Sequence, residues 1–443
     1  MRFGTDGIRG RAGTELTDAV AAALGRAVVR ELGARRVLIG RDTRESGPAL
    51  ERALVDAIAA AGAVPEALGV APTPAVAHAA RAADSPGIAI TASHNPWTDN
   101  GLKVFAAGGT KLDADAQPRL EAALAREPAA AATPAPAATA ESGAARIAAW
   151  RRDLVAGVRP DALAALHVVV DAAHGACTGH AAAVLAALGA TVTPVHDAPD
   201  GRNINDGCGA THPDVVAAAT RAAGADLGVA FDGDGDRLIA ADHEGRVVDG
   251  DHLLAIAARR MHERGELRGG TVAVTVMTNL GFHRAMREAG IGVVVTPVGD
   301  RAVLAALEEG GLALGGEQSG HLVYRDRATT GDGLLAAVQL ALTVAERGPL
   351  ATLARDAMTA MPQVLVNVRV AGDARAVADA IAPEVDAARR ALGDDGRVLV
   401  RASGTEPVLR VMVEASSDEL ARRVADDVAA RAARAAGRAP HEG

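Results

Sequence analysis

The stretch Gly87-Ile-Ala-Ile-Thr-Ala-Ser-His-Asn-Pro96 joins an apolar segment to a polar loop, and this change of character predicts the fold class. Residues 87–90 are small and apolar, as in a short strand buried within a sheet. Asn95-Pro96 ends the segment, because a residue before proline is disfavoured in helical conformation. In open α/β sheets ligands bind beyond the carboxyl ends of the strands, so Ser93 lies where a ligand is expected. A solvated turn serine is the alternative interpretation.

Helical and strand patterns alternate on both sides of this stretch, which is typical of largely parallel sheets covered by helices. The predicted helices cover residues 16–32, 47–63, 73–83, 146–155, 179–188, 213–223, 251–264, 281–289, 301–309 and 331–347. The predicted strands cover residues 36–40, 65–70, 87–91, 167–171, 191–195, 226–231, 271–277, 291–296 and 312–315, with one more strand after the Asn100-Gly101 turn. In each of three successive units a strand ends in a polar, glycine-rich loop, which predicts a structural repeat.

The last part of the chain has a different pattern, with strands at 364–370, 398–401 and 408–414 and helices at 374–392 and 418–436. We therefore predict an α/β protein with three successive mixed-sheet α/β domains plus a C-terminal α+β domain. The Ala/Pro/Thr-rich segment 127–145 is predicted to be a surface linker, because it offers little surface to bury. The predicted domains cover residues 1–145, 146–250, 251–360 and 361–443.

Composition excludes several classes of protein. The 443 residues carry a net charge of −9 and no Lys/Arg-rich block, so no nucleic-acid surface is expected. Cys177 and Cys208 cannot build a disulfide framework and lack a CxxC spacing. The sequence shows neither an apolar leader nor an apolar run of the ~18 residues that a membrane span needs. A cytoplasmic protein without membrane partners is the expectation.

Asp232-Gly-Asp-Gly-Asp-Arg237 follows a predicted strand and is a candidate metal site. In an extended backbone, alternate residues point to the same side, so Asp232, Asp234 and Asp236 would converge. Crowded carboxylates repel one another unless a cation neutralises them, and hard oxygen ligands suit Mg²⁺ or Ca²⁺. An EF-hand is excluded, because its glycine and glutamate positions hold Arg237 and His243. An acidic solvated turn is the alternative.

Two further polar loops are candidate binding sites. Arg401, Ser403, Gly404 and Thr405, with Arg410 beyond them, offer guanidinium groups, hydroxyls and a glycine turn suited to a phosphate, although a simple turn is the alternative. The loop at 315–321 places Glu317, Ser319 and His321 together, where carboxylate and hydroxyl suit a sugar and histidine suits proton transfer.

Two enzyme classes lack their sequence motifs. No P-loop and no GxGxxG follows a strand, so nucleotide binding has no support. No GxSxG elbow is present, and the adjacent Ser93 and His94 are not expected to form a hydrolase triad.

Taken together, these loops resemble the α-D-phosphohexomutase superfamily, and more closely its bacterial phosphoglucosamine mutase branch. The matching motifs occur in the family's order and span nearly the whole chain. They are Phe3-Gly-Thr-Asp-Gly-Ile-Arg-Gly10, Thr91-Ala-Ser-His-Asn-Pro96, Asn100-Gly-Leu-Lys103, Asp232-Gly-Asp-Gly-Asp-Arg237, Gly315-Gly-Glu-Gln-Ser-Gly-His321 and Arg401-Ala-Ser-Gly-Thr-Glu-Pro407 with Arg410.

The resemblance implies four domains around a central cleft, with Ser93 as the residue that carries a phosphoryl group. It also implies one Mg²⁺ ion per chain, held by Asp232, Asp234, Asp236 and the phosphorylated Ser93. Arg9, Lys103 and Arg237 would surround the phosphoryl group, and Lys103 or His321 would transfer protons. Glu317 and Ser319 would bind sugar hydroxyls. The second phosphate would be held by Arg401, Ser403, Gly404, Thr405 and Arg410.

By the same resemblance the substrate is a phosphosugar. Glucosamine 6-phosphate and glucosamine 1-phosphate would be interconverted through a sugar 1,6-bisphosphate, which is both intermediate and activator, in support of UDP-N-acetylglucosamine synthesis. Gln318 favours this branch, since the phosphoglucomutase/phosphomannomutase branch usually has methionine there. The alternatives are a mutase acting on glucose or mannose phosphates, a phosphoserine-dependent phosphatase, and a non-catalytic sugar sensor. The sequence leaves a monomer or a homodimer open.

Overall fold

The computed structural model describes residues 7–113, 115–126, 138–370, 372–402 and 407–437. The chain forms two compact units. The larger unit contains the residues up to Met277 together with Ala289–Ala357, and the smaller one contains Thr278–Glu288 and the residues from Met358 onward. Within the described residues the strands form four sheets.

The first sheet of the larger unit has six strands in the order β1-β5-β4-β2-β3-β6. The strands β2, β3, β4 and β6 run parallel, whereas β5 runs antiparallel to both β4 and β1. The strand bounds are β1 Ile8–Arg11, β2 Arg36–Arg41, β3 Val64–Val70, β4 Gly87–Ile90, β5 Asp99–Phe105 and β6 Glu141–Ser142. The accompanying helices are α1 Asp18–Glu31, α2 Gly47–Ala60, α3 Thr73–Ala83, α4 Ala116–Arg126 and α5 Ala144–Leu154.

The second sheet has the order β11-β10-β9-β7-β8, and the third has the order β13-β12-β14-β15. The second contains β7 His167–Asp171, β8 Thr191–Val195, β9 Leu227–Phe231, β10 Leu238–Asp242 and β11 Val247–Val248, with helices α6 His180–Ala187 and α7 Pro213–Ala223. The third contains β12 Thr271–Thr275, β13 Gly292–Thr296, β14 Leu314–Gly316 and β15 Leu322–Tyr324. Its helices are α8 Gly250–Glu263, α10 Asp300–Glu309, α11 Gly333–Arg347 and α12 Leu350–Ala357.

One feature recurs in all three sheets. A buried strand ends in a polar loop, and the chain then returns as an antiparallel neighbour, in the pairs β4–β5, β9–β10 and β14–β15. The three loops are the glycine-rich loops singled out in the sequence. The predicted repeat of mixed α/β sheets is therefore confirmed, and the return strands explain why the sheets are mixed rather than purely parallel.

The smaller unit contains an antiparallel sheet of order β16-β18-β17. Its elements are α9 Leu280–Glu288, β16 Gln363–Arg369, α13 Ala374–Ala380, α14 Ala382–Leu392, β17 Arg397–Ala402, β18 Val408–Glu414 and α15 Asp418–Ala436. The predicted single helix 374–392 is wrong, because it breaks at Ile381 just before Pro383. Proline has no N–H to donate, and its ring clashes with the carbonyl of the preceding turn.

Helix starts follow from local side-chain hydrogen bonds. Thr17, Asp249 and Ser417 each accept a backbone N–H from the first turn of the helix that follows, which satisfies a donor that the helix itself leaves open. The cores are built mainly from alanine, valine, leucine and isoleucine, as the low aromatic content requires. Short side chains let helices such as α1 and α2 pack closely on each other and on the sheet.

The predicted linker 127–145 is wrong at its C-terminal end. Glu141–Ser142 forms β6 beside β3, and α5 begins at Ala144. The carboxylate of Glu141 accepts a hydrogen bond from Arg36, which also contacts the buried Glu66, so charge pairing attaches this segment to the sheet. Residues 127–137 lie outside the described part of the chain. The predicted domain boundaries stay predictions.

Across the described ranges, no single helix has both the length and the apolar character needed to cross a membrane. The helices α11 and α12 meet that criterion only when taken together across a 99° bend.

Candidate active site in the larger unit

Ser93 lies in the loop after β4 and is almost completely buried, with 1% of its surface exposed. Its backbone is left-handed (φ 52°), a conformation that costs energy for any residue other than glycine. The backbone N–H donates to Thr91 Oγ1 at 2.9 Å, and the hydroxyl donates to Asp232 Oδ2 at 2.6 Å. The Ser93 hydroxyl therefore points directly at the aspartate loop after β9.

Arg44 holds the Ser93 loop in place and is a functional residue that the sequence analysis missed. Its side chain is completely buried and donates to the carbonyls of Ser93 (2.9 Å), Asn95 (2.8 Å) and Asp99 (2.9 Å), and also to that of Pro96. Its Nε atom donates to Asp42 Oδ2 at 2.9 Å. Arg44 thus binds four backbone oxygens of the 93–99 segment at once.

Asn205 supports the same loop from the neighbouring domain. Its side-chain amide donates to the Ser93 carbonyl at 2.9 Å and to the Asn95 carbonyl at 3.2 Å. Polar residues directly after strand β2, in Arg41-Asp-Thr-Arg44, were a signal that could have identified Arg44. No comparable signal in the sequence identifies Asn205, because its partners are backbone atoms more than a hundred residues away.

The aspartate loop brings its three carboxylates together, although not in the way the sequence suggested. Residues 232–237 form a turn rather than an extended segment, with Gly235 in a left-handed conformation (φ 72°) and its N–H bonded to the Asp232 carbonyl. One carboxylate oxygen from each of Asp232, Asp234 and Asp236 lies within 4.8 Å of the others. The predicted extended segment is therefore wrong, and a turn directs the three side chains to a common point.

The three carboxylates fit a hard metal ion. All three are at least 95% buried, and Oδ1 of both Asp234 and Asp236 makes no hydrogen bond to any described residue. Buried oxygens without a donor are costly unless a cation binds them. Burial raises the pKa of Asp232 well above its ordinary value, and the negative charges of Asp236 and Asp234 raise it further. This buried acidic triad could therefore hold a metal ion, and its all-oxygen donor set matches Mg²⁺ or Ca²⁺.

Lys103 and Thr73 complete the surroundings of the triad. Lys103, from β5, donates to Asp234 Oδ2 at 2.7 Å and Asp236 Oδ2 at 3.2 Å, and Thr73 Oγ1 donates to Asp234 Oδ2 at 2.5 Å. Burial alone would raise the pKa of Asp236, but the positive charge of Lys103 and the nearby His321 outweigh it and hold that pKa well below its ordinary value. Lys103 thus offsets part of the negative charge of the triad.

A cavity of about 410 Å³ opens beside these groups and is lined by Arg9, His94, Arg237 and Glu317, among others. The Nε atom of Arg237 is buried, lies 3.8 Å from Asp236 Oδ1 and makes no hydrogen bond to any described residue. Burial, together with the positive charges of Arg237 and Arg9, lowers the pKa of His94 to about 4. The imidazole of His94 is therefore neutral near neutral pH.

The side chain of His94 lies close to that of Ser93. Its Nδ1 atom is 3.2 Å from Ser93 Oγ, but the hydroxyl proton is directed at Asp232. The arrangement is therefore not that of a serine hydrolase, in which the histidine accepts the serine proton.

The loop after β14 also lines the cavity, with Glu317, Gln318, Ser319 and His321. The carboxylate of Glu317 accepts the Gly299 N–H at 3.1 Å. His321 is buried, with Nδ1 3.7 Å from Asp236 Oδ1 and with Nε2 accepting the Gly331 N–H at 3.2 Å. The ring proton therefore lies on Nδ1. Burial lowers the pKa of His321, but the nearby negative charge of Asp236 outweighs it and raises that pKa.

Two glycines allow these loops to touch. A Cβ atom on Gly233 would lie 2.4 Å from the Ser93 carbonyl, and a Cβ atom on Gly320 would lie 2.1 Å from the Leu238 carbonyl. Neither position can accept a side chain without moving backbone. The serine, aspartate and sugar-loop candidates from three successive sheets are thus brought to one site.

The predicted phosphate loop belongs to the smaller unit. Arg401 and Arg410 lie directly opposite each other on β17 and β18. Directly opposed residues of an antiparallel pair share a face of the sheet, so both arginines lie on one face. Ser403, Gly404 and Thr405 lie outside the described residues.

Comparisons with known proteins cover almost the entire chain. The phosphoglucomutase/phosphomannomutase family matches in four parts: alpha/beta/alpha domain I at residues 1–131, domain II at 134–245, domain III at 249–361 and the C-terminal domain at 365–431. A phosphoglucosamine mutase of Frankia alni is 50% identical over 97% of this chain and 97% of that protein. One from Rhodococcus jostii is 48% identical over 96% and 98%.

Solved structures agree with the fold. A phosphoglucomutase/phosphomannomutase family protein from Burkholderia thailandensis is 28% identical, with a TM-score of 0.79 over 99% of this chain and 98% of that one. An Aspergillus fumigatus N-acetylphosphoglucosamine mutase, solved with GlcNAc-6P and magnesium, is 18% identical with a TM-score of 0.70, over 98% of this chain and 96% of that one. At that identity the likeness concerns the fold alone.

Proposed function

Since the chain belongs to the phosphoglucomutase/phosphomannomutase family, and within it to the phosphoglucosamine mutases, we propose that it interconverts glucosamine 6-phosphate and glucosamine 1-phosphate with Ser93 as the phosphoryl carrier. One observation carries the assignment of Ser93. Its buried hydroxyl lies 2.6 Å from Asp232, within a cluster of three carboxylates and Lys103. A serine this buried, held in a left-handed conformation, has a more specific role than a surface turn residue.

Mg²⁺ is the metal that we propose for the aspartate triad, with one ion held by Asp232, Asp234 and Asp236. The donors are all oxygens, and two of them make no hydrogen bond to the described residues. When bound, the ion would offset the roughly −2 charge of a phosphorylated Ser93 and stabilise the transferring group. An oxygen of the phosphorylated Ser93 would complete its ligands.

Different side chains of the site would take different roles in the reaction. In the first half-reaction the bond between Ser93 Oγ and phosphorus breaks, a new bond forms to the C1 hydroxyl oxygen of the sugar 6-phosphate, and the hydroxyl proton leaves to a base. The candidates for that proton are Lys103 and His321. Arg9 and Arg237 line the cavity where the phosphoryl group would lie, so their charges stabilise it during transfer.

The second half-reaction uses the same residues after the sugar 1,6-bisphosphate has reversed its orientation. The C6 phosphoryl group returns to Ser93 Oγ and the C6 oxygen takes up a proton, which leaves glucosamine 1-phosphate and the phosphorylated enzyme. Glu317 and Ser319 would hold sugar hydroxyls in both orientations. Arg401, Ser403, Gly404, Thr405 and Arg410 would bind the phosphate that is not reacting, and a protein that grips the far end of its substrate is better suited to a mutase than to a phosphatase.

Phosphorus NMR tests the proposal. Protein, Mg²⁺ and a trace of sugar 1,6-bisphosphate are mixed separately with glucosamine, glucose and mannose 6-phosphates. The 1-phosphate signal should appear fastest with the amino sugar, and Ser93→Ala should reduce that rate by orders of magnitude with an unchanged circular dichroism spectrum. Ser85→Ala is the matched control, since among the described residues the Ser85 hydroxyl donates only to the nearby Ala83 carbonyl.

The remaining outcomes separate the alternatives. Faster conversion of glucose or mannose phosphate would keep the mutase and overturn the amino-sugar specificity. Release of free phosphate without a 1-phosphate signal would identify a phosphatase. Near-normal turnover in Ser93→Ala would exclude Ser93 as the carrier.

A further inference from the structure

We propose that Asp171, His196 and Cys208 form a second metal site, of the mixed-ligand class that binds Zn²⁺. The three residues lie at the carboxyl end of β7, after β8 and in the 203–209 loop, away from the aspartate triad in sequence. One carboxylate oxygen, one ring nitrogen and the sulfur lie within 4.8 Å of one another. Oxygen, nitrogen and sulfur donors at this separation can coordinate a single ion.

The close contact between His196 and Asp171 is a candidate position for a cation that binds both side chains. Nδ1 of His196 lies 3.1 Å from Asp171 Oδ2. Yet Nδ1 is buried and is not oriented to make a hydrogen bond with that oxygen or with any other described atom. Two electron-rich atoms this close repel each other unless a proton or a metal cation lies between them. Asp171 and Cys208 are completely buried, so water does not relieve that repulsion.

The chemistry of the three donor atoms indicates which metal ion would bind. A thiolate and an imidazole favour Zn²⁺ over Mg²⁺ and Ca²⁺, which prefer oxygen ligands. Burial, with the negative charges of Asp171 and Asp206, raises the pKa of the Cys208 thiol to about 12, so metal binding must displace its proton. The side chain of His196 is 31% exposed and leaves one side open for entry of the ion and for a water ligand.

Backbone hydrogen bonds fix the carboxylate in the required orientation. Asp171 Oδ1 accepts the Ala173 N–H at 2.9 Å, and Oδ2 accepts the Gly209 N–H at 3.0 Å. Supporting bonds of this kind orient metal-ligating carboxylates. A bound Zn²⁺ would therefore attach the 203–209 loop to the end of β7.

This attachment connects the proposed zinc site to the Ser93 loop. Asn205 lies in the same loop, donates its backbone N–H to the Ala173 carbonyl at 3.0 Å, and donates its side chain to the Ser93 carbonyl. Zinc binding would thus stabilise the loop that supports Ser93 without touching the reacting groups. The site stands whether or not the proposed mutase reaction is correct.

Cobalt substitution provides the test, because Co²⁺ bound to a thiolate gives a near-ultraviolet charge-transfer band that oxygen-bound cobalt lacks. The full-length protein, with the aspartate triad saturated by Mg²⁺, is titrated with Co²⁺ and then with Zn²⁺. We expect the band to saturate at about one ion per chain and to disappear as Zn²⁺ displaces Co²⁺. Zn²⁺ should also raise the melting temperature, since it binds only the folded site.

Variants assign the ligands. Cys208→Ala should abolish the band, and His196→Ala should weaken cobalt binding at least tenfold. Because His196 is partly exposed, its variant should fold even if Cys208→Ala does not. Cys177→Ala, which removes the other buried cysteine, should keep the band. The proposal is overturned if no band forms, if His196→Ala binds Co²⁺ unchanged, or if the band follows Cys177.

Discussion

Replacing Arg44 with methionine should disable the active site without touching a reacting group. The guanidinium binds four carbonyl oxygens of the 93–99 segment and the Asp42 carboxylate, and both charged side chains have no exposed surface. Methionine keeps much of the length and volume of arginine and removes all of these donors. The experiment therefore tests hydrogen bonding and charge rather than the creation of a cavity.

The magnitude follows from what the substitution leaves behind. Removing one partner of a buried ion pair costs roughly 3–5 kcal/mol, because the other charge stays buried and uncompensated. Asn205 still donates to the Ser93 and Asn95 carbonyls, but the Pro96 and Asp99 carbonyls lose the guanidinium. Those two losses should add about 1–3 kcal/mol. We expect the larger unit to lose at least ~4 kcal/mol of stability.

The loss should depend on pH through Asp42. Burial already raises the pKa of Asp42, against the charge of Arg44, and without Arg44 that pKa rises further. A carboxyl group whose pKa is higher in the folded than in the unfolded state destabilises the protein at pH values above its unfolded pKa. The difference between Arg44→Met and the natural protein should therefore shrink as the pH falls toward 3.8, the ordinary pKa of an aspartate.

Denaturant midpoints and steady-state kinetics measure the two effects. At a temperature where the variant remains folded, we expect kcat to fall by about 100-fold with KM little changed, since a small displacement of a positioned group is that costly. Arg41→Met is the matched control, because Arg41 pairs with the partly buried Glu51 instead of with the 93–99 carbonyls, and we expect a smaller loss than for Arg44→Met. Equal stability and equal kcat in the two variants would show that Arg44 does not position Ser93.

Two further substitutions test the substrate specificity of the enzyme and the pH dependence of its stability. Gln318→Met should lower the ratio of kcat/KM for glucosamine 6-phosphate over glucose 6-phosphate by about 10- to 100-fold, because a lost polar contact removes discrimination; an unchanged ratio would assign specificity elsewhere. Asp332→Asn should stabilise the protein near neutral pH by up to roughly 3 kcal/mol and have little effect near pH 4. Burial raises the pKa of Asp332 to about 6, so the folded state disfavours its charge as the pH rises. Asparagine has one acceptor oxygen, so it keeps the bond from Leu335 N–H or the bond from Trp150 Nε1 but loses the other, and this loss is the same at both pH values. Denaturant midpoints at the two pH values measure the effect, and a difference between the variant and the natural protein that does not change with pH would contradict the titration of Asp332 as the cause.

Much of the fold could be predicted from the sequence, because its buried strands are short apolar runs that end in polar, glycine-rich loops. Ile88 and Ile90 are fully buried in β4, and Ser93 follows where the apolar run ends. The return strands were harder to predict. Strand β15 has only three residues, and its pairing with β14 is set by the tertiary fold rather than by a periodic pattern.

The site was predictable where side chains act through their own chemistry, and was missed where they act through backbone atoms. Asp232, Asp234 and Asp236 are recognisable by type and spacing, even though a turn rather than an extended segment brings them together. Arg44 and Asn205 bind carbonyl oxygens, which every residue has, so the sequence of the partner segment does not reveal them. The break at Ile381 is a different case. Pro383 is visible in the sequence, and its effect on the backbone outweighs the continuous helical periodicity of residues 374–392.

The charges of the site explain why phosphorylation and metal binding would depend on each other in the proposed mechanism. Phosphorylated Ser93 would add about two negative charges beside three buried carboxylates, an addition that Lys103 and the cavity arginines offset only in part. A divalent cation alone would bring two positive charges next to Lys103, which already pairs with Asp234 and Asp236. Added together, the two charges nearly cancel, so each makes the other less costly. A balance of this kind requires fixed distances, and Arg44 and Asn205 provide them by holding the Ser93 loop from two sides.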